Sequence, residues 1–211
     1  HLVHELERLV SPDVASRVLA GRLEPGQSER RYVTVLFCDL RDFTALCERR
    51  RAEDALDVLN AFYERACVII RAHGGHVNKF LGDGLLAIFG APERHSHHAR
   101  AALDAARQLV RASDELRREG GVWADLQVGI GLDTGDVVTG ALGSPERLEY
   151  TAIGATVNRA ARLQALSTST GRGIVLSART ATELDDPDQL LPLGEAKIKG
   201  VDRPIRIYTP R

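Results

Sequence analysis

Apolar residues recur along the chain in two alternating rhythms. From Tyr32 to Leu40 (YVTVLFCDL) they are nearly continuous and β-branched, which predicts a buried strand. Over residues 53–72, Leu56, Leu59, Phe62, Tyr63, Ala66, Ile69 and Ile70 form one stripe at helical spacing, and His73-Gly74-Gly75 supplies the small residues that favour a helix terminus. Two short apolar runs follow, His76–Leu81 and Leu85–Phe89. They are split by Gly82-Asp83-Gly84, and an Asp-Gly between such runs predicts a hairpin.

Residues 97–118 predict a second long helix. Leu126–Leu132 and Asp136–Leu142 read as a strand pair turning through Asp133-Thr134-Gly135. Ala155–Leu166 predicts a third helix, and the last 45 or so residues short strands and a helix. The order β-α-β-β-α-β specifies an α+β class with a ferredoxin-like core, helices on one face of the sheet, and extra C-terminal strands and a helix. Before it, residues 1–29 predict an amphipathic helical lead and a linker. Leu2, Leu6, Leu9 and Val10 share a face, Ser11-Pro12 opens a second helical part, and Glu24–Ser28 is linker-like. The lead is either a coupling element or a first helix packed on the main domain, residues 30–211.

Composition narrows the partners. Lys plus Arg (28) nearly balance Asp plus Glu (29), leaving no basic field for a nucleic-acid polymer and no polybasic block for a membrane surface. No apolar run approaches the ~20 residues of a membrane helix. Cys38, Cys47 and Cys67 lack C-x-x-C spacing and read as buried free thiols of a reducing, cytoplasmic compartment. The chain opens on His1, as expected of a piece of a longer protein that carries an upstream regulatory domain and is itself soluble or membrane-tethered.

Two aspartates carry candidate chemistry. Asp39 ends an otherwise apolar strand and is followed by Leu40-Arg41-Asp42-Phe43-Thr44 into a helix. There it either caps that helix or holds a cation, with free N–H groups nearby for phosphate. Asp83 sits at the hairpin tip, as a turn residue or as a second carboxylate beside the first strand. Two carboxylates with triphosphate oxygens would suit two Mg²⁺ or Mn²⁺ ions.

The segments VTVLFCDLRDFTALCE (33–48), VNKFLGDGLLAIFGAP (77–92), YTAIGATVNRAARLQ (150–164) and LGEAKIKGVDRPIRIY (193–208) resemble, in order, four motifs of class III adenylyl and guanylyl cyclases. The resemblance spans about residues 30–208. It implies metal-binding roles for Asp39 and Asp83, and places the Phe43 and Thr44 amides on the triphosphate. Lys79 and Thr151 would read the purine, Asn158 orient the ribose, Arg162 stabilise the α-phosphate, and Lys199 contact the terminal phosphates.

Asn158 and Arg162, at i and i+4, share a helix face. Lys79 as donor and Thr151 as acceptor suit adenine, whose N1 accepts and whose N6 donates, so ATP is expected over GTP. The commonest adenylyl pattern has Asp at the Thr151 position. The Lys–Thr pairing resembles the class IIIb branch, which implies a response to bicarbonate. Ala155 stands where many relatives carry Asp or Asn. The family builds its sites between protomers, and this chain carries both sets of residues, implying a homodimer. The competing expectations are a catalytically silent, dimerising regulatory module and a diguanylate-cyclase-type enzyme. All seven side-chain positions are filled, against the first; the hairpin lacks an acidic Gly-Gly-Asp/Glu-Glu-Phe turn, against the second.

His95, His97 and His98 read as a polar surface loop, Glu48–Arg51 as a solvated charge run, and Trp123 as a core or interface aromatic.

Overall fold

The computed structural model describes residues 12–21, 27–124, 126–144, 147–186 and 189–211. The elements are α1 (Pro12–Leu19), β1 (Ser28–Arg41), α2 (Phe43–Arg49), α3 (Ala52–Ala72), β2 (Gly75–Leu81), β3 (Gly84–Phe89), α4 (His98–Glu119), β4 (Gln127–Ser144), β5 (Arg147–Ile153), α5 (Ala155–Ser169), β6 (Ile174–Ser177), α6 (Ala178–Thr182), β7 (Leu190–Ala196) and β8 (Ile205–Pro210). One sheet of eight strands runs in the order β2-β3-β1-β4-β6-β8-β7, and β5 adds to the far half of β4. This is the expected α+β core with its C-terminal additions.

The helices do not lie on one face. Leu36, Cys38 and Leu40 of β1, with Ile130 and Leu132 of β4, face α3 and α4 through Val58, Phe62, Ile70, Leu103 and Leu109. The intervening residues Val33 and Val35 face the other way, with Val137, and meet Ala160 of α5. Farther along, Leu163 of α5 packs on Val175 and Ile207. Periodicity marks an apolar stripe on a helix but does not say which side of the sheet receives it. Glycine in β4 decides the matter: a Cβ on Gly131 would collide with the backbone nitrogen of Gln164 and carbonyl of Ala160, so α5 lies directly on the β4 backbone.

The expected turn at Asp133-Thr134-Gly135 is absent. β4 is one strand of 18 residues, paired with β1 from Arg41↔Gln127 to Ser28↔Gly140 and with β5 from Val138 onward. The polar trio enters the sheet because its groups find buried partners. Asp133, fully buried, takes Arg159 Nε at 2.7 Å and the Ser177 hydroxyl at 2.6 Å. Thr134 lies against Thr34 at 2.8 Å and donates to Thr180 at 3.1 Å. Burial pushes the Asp133 carboxyl upward, with Ser177 and Arg159 opposing the shift.

Three smaller readings also change. His98 is buried and contacts Thr34 Oγ1 through Nδ1 at 2.8 Å, so the histidine cluster is not wholly surface loop. Of the three free thiols only Cys38 is fully buried; Cys47 is exposed. Within the lead, Val14 and Ala15 are buried and Arg17 donates to the Pro92 carbonyl at 2.6 Å, so α1 packs on the main body. Leu2, Leu6, Leu9, Val10 and most of the linker lie outside the described residues. Among the described residues, no helix is long and apolar enough to cross a membrane.

Candidate functional site

The ladder between β1 and β3 places Asp39 opposite Gly84, immediately after Asp83 in the β2–β3 turn. The Leu40 amide donates to the Asp83 carbonyl at 3.0 Å, stitching the turn to the strand end. Gly84 permits this approach, since a Cβ there would fall 2.6 Å from the Cys38 carbonyl oxygen. Between the two turn residues only Gly82 has positive φ (72°), so the hairpin is not of the type I′ kind that Asp-Gly suggests. Tyr63 of α3 clamps the turn by donating to the carbonyls of Gly82 (2.5 Å) and Gly84 (3.2 Å), and its ring stacks on Phe80 with centroids 4.2 Å apart.

The two carboxylates are neighbours in a half-buried setting. Burial, then the adjacent Asp83 charge, pushes the Asp39 carboxyl up to about 6. Asp39 Oδ1 is buried and has no hydrogen-bond partner among the described residues. A buried carboxylate oxygen without a donor, beside a second carboxylate, is a hard-oxygen set that fits Mg²⁺ or Mn²⁺. Protein alone supplies two carboxylates, and no cluster of three or more His, Cys, Asp or Glu exists among the described residues, so nucleotide oxygens would complete the shell.

Burial of the Asp39 carboxyl, with the Asp83 charge beside it, predicts an effect on stability. The folded-state pKa exceeds the ordinary value near 3.9, so the folded chain binds this proton more tightly than the unfolded one. Wild-type stability therefore falls as pH rises through about 4 to 6 and stays lowered above that. Asp39→Asn removes the charge at a cost avoided on the order of 1 kcal/mol after solvent screening. In calorimetry with a chelator, the variant should melt roughly 2–4 °C above wild type at pH 8 and level with it at pH 4. A lower melting point at pH 8 contradicts the assignment.

Immediately beyond, Asp42 adopts the left-handed conformation (φ 58°) and turns the chain into α2. Its side chain makes no cap bond, so Phe43 and Thr44 open the helix beside the aspartate pair.

Lys79 and Thr151 converge where β2 meets β5. Lys79 Nζ lies 3.3 Å from Glu149 Oε2, and Thr151, buried, contacts Asn78 at 3.4 Å. Asn78 was not among the residues singled out from sequence. Asn158 and Arg162 share one face of α5, as the i, i+4 spacing requires, and both are exposed; Lys199 is exposed in the β7–β8 connection. No hydrogen bond or ion pair joins the aspartate pair to Lys79, Thr151, Asn158, Arg162 or Lys199 within the described residues.

Around Thr151 the β4–β5 ribbon presents apolar groups to solvent. Val138 pairs with Ile153, Gly140 with Thr151 and Leu142 with Glu149, all on one face, and Val138, Leu142 and Ile153 are 40%, 53% and 57% exposed.

Residues 27–209 match the family described as Adenylate and Guanylate cyclase catalytic domain. The chain is similar to Adenylate cyclase 1 of Rhizobium meliloti, 33% identical over 205 residues that make up 96% of this chain and 30% of that protein. It is also similar to an uncharacterised protein of Mycobacterium tuberculosis, at 38% over 205 residues, 96% of this chain and 35% of the other. The chain thus spans about a third of the length of these curated relatives.

Among solved structures, the adenylyl cyclase CyaB from P. aeruginosa superposes with a TM-score of 0.80 at 31% identity, covering 88% of this chain and 96% of that one. A guanylyl cyclase superposes with a TM-score of 0.77 at 32% identity, covering 86% and 92%.

Proposed function

The chain belongs to the adenylate and guanylate cyclase catalytic-domain family, and from that premise we propose that it converts ATP to 3′,5′-cyclic AMP and pyrophosphate as a homodimer. The observation that carries this reading is the Asp39–Asp83 pair with its unpartnered buried oxygen, next to the start of α2. Divalent ions held there by Asp39 and Asp83 would neutralise triphosphate charge and ease ionisation of the attacking hydroxyl.

The chain's own residues do the rest. Lys79 donates to adenine N1 and Thr151 accepts from the N6 amine. Asn158 fixes the ribose so that its 3′-oxygen faces the α-phosphorus. As that oxygen bonds to phosphorus, its proton passes to solvent and the bond to the β-phosphate bridging oxygen breaks, releasing pyrophosphate. The Arg162 guanidinium, always charged and able to donate two parallel hydrogen bonds, stabilises the charge that develops. The Phe43 and Thr44 amides and the Lys199 ammonium hold the terminal phosphates.

Adenine preference rests on the donor–acceptor pair at Lys79 and Thr151 and agrees with the adenylyl cyclases among the relatives. The homodimer reading is supported by the exposed apolar row Val138, Leu142 and Ile153 around Thr151, a surface that a second copy would cover. In that dimer the aspartates of one protomer would face Lys79, Thr151, Asn158 and Arg162 of the other. A cytoplasmic location, an upstream regulatory segment and stimulation by bicarbonate belong to the same reading; a bicarbonate titration at fixed pH with flat activity removes the last.

The deciding assay measures cyclic AMP and cyclic GMP from ATP and GTP, with Mg²⁺ or Mn²⁺, across a protein dilution series. The expected result is cyclic AMP from ATP, with specific activity falling on dilution. Absence of both products at high protein concentration refutes the reading.

A further inference from the structure

Asn78 occupies an irregularity in β2. The register with β3 passes from Val77↔Ala87 directly to Lys79↔Leu86, so Asn78 is the extra residue of a bulge. A bulge re-aims the side chain it carries, and here the amide reaches across to β5. Asn78 Nδ2 donates to the Tyr150 carbonyl at 2.7 Å, and Asn78 Oδ1 lies 3.4 Å from the Thr151 hydroxyl.

The chain of donors has only one sense. The Tyr150 carbonyl can only accept, so the Asn78 amide must turn its NH₂ toward it; the reverse would bring two oxygens together at that short distance. Oδ1 is thereby left facing Thr151, and since Oδ1 can only accept, the Thr151 hydroxyl must donate to it. The hydroxyl proton is then engaged, and Thr151 offers an incoming base nothing but lone pairs. Those accept from the N6 amine of adenine and oppose the O6 carbonyl of guanine.

We propose that Asn78 is a specificity-determining positioning residue: held by the Tyr150 carbonyl, it converts the ambivalent Thr151 hydroxyl into an obligate acceptor and so selects a 6-aminopurine nucleotide over a 6-oxopurine one. This rests on the reading of Thr151 as a purine contact. It explains how threonine, which by itself tolerates either base, discriminates between them. Lys79, next along the strand, supplies the complementary donor and is oriented separately by Glu149.

The test compares kcat/KM for ATP and GTP in wild type, Asn78→Ala, Thr151→Val and the double variant. Releasing the hydroxyl lets it donate to O6, so in Asn78→Ala the ATP-to-GTP ratio should fall about tenfold, mainly through better use of GTP. On the Thr151→Val background the same substitution should leave the ratio unchanged. An unmoved ratio in Asn78→Ala, an equal loss with both nucleotides, or an effect that persists without the threonine hydroxyl overturns the inference while leaving the purine-pocket reading intact. A wild-type enzyme indifferent to the base overturns that reading itself, and the inference with it.

Should Asn78→Ala not fold by circular dichroism, Asn78→Ser is substituted. A further arm needs only wild type. Purine riboside triphosphate, with no group at position 6, should be used at least ~10-fold better than inosine triphosphate, which presents O6. Equal use of the two overturns the proposal.

Discussion

Replacing Arg162 with alanine is expected to lower kcat for cyclic AMP formation by roughly 10³-fold, with KM for ATP changed only a few-fold and the melting point unmoved. The split follows from where the side chain sits. Arg162 is exposed on α5 and makes no hydrogen bond or ion pair with the described residues, so the fold loses nothing when it is truncated. In the proposed reaction its contribution is reserved for charge that appears only as the 3′-oxygen bonds to phosphorus. An interaction confined to that moment appears in kcat rather than in KM. Arg162→Lys should recover only part of the activity, because an ammonium lacks the planar fork of donors. Steady-state kinetics alongside differential scanning fluorimetry checks all of this. A loss that appears mainly in KM would reassign Arg162 to ground-state binding. Arg159, one turn earlier on the same helix, has the opposite character: its guanidinium is committed to the buried Asp133.

Gly131→Ala is expected to destabilise the protein by about 3 kcal/mol or more, lowering the melting point on the order of 10 °C. The added methyl would meet the Gln164 nitrogen and the Ala160 carbonyl, which are helix backbone and have no rotamer to escape into. Either α5 lifts from the sheet or β4 bends. The helix that moves carries Asn158 and Arg162, so whatever protein remains folded should also be nearly inactive. Gly129→Ala provides an internal control. There the methyl meets the Ser167 hydroxyl and the end of Gln164, both side-chain groups that can swing away, so the loss should be smaller, near 1 kcal/mol. Equal melting points for the two variants would mean that α5 does not bear on the β4 backbone as described.

Much of this site was legible in the chain because its signals are local. The strand ending in Asp39 and the hairpin tip at Asp83 each announce themselves within ten residues, and adjacent pairing of β1 with β3 brings them together. Asn158 and Arg162 fall on one exposed helical face because 3.6 residues per turn requires it. What escaped depended on partners distant in sequence. Asp133-Thr134-Gly135 has the composition of a turn. It continues a strand only because Arg159, Ser177, Thr34 and Thr180 wait to satisfy it. The side of the sheet taken by α5 was written in Gly129 and Gly131, whose missing side chains admit a helix, yet strand periodicity ignores glycine. Asn78 was passed over because a bulge breaks the two-residue rhythm by which β2 would otherwise be read.

The unbroken course of β4 bears on which changes this gene can absorb. It aligns with β1 from Gln127 to Gly140 and with β5 from Val138 to Ser144, and side chains alternate faces without interruption over 18 residues. A surface turn at 133–135 would accept the gain or loss of a codon. A continuous strand does not, because a single-residue deletion there rotates everything beyond it by half a turn. Val138, Gly140 and Leu142 would swap to the opposite face, taking the β5 partner Thr151 with them. Drift along this segment is therefore confined to exchanges at constant length, and its length should be among the slowest-changing quantities in the domain.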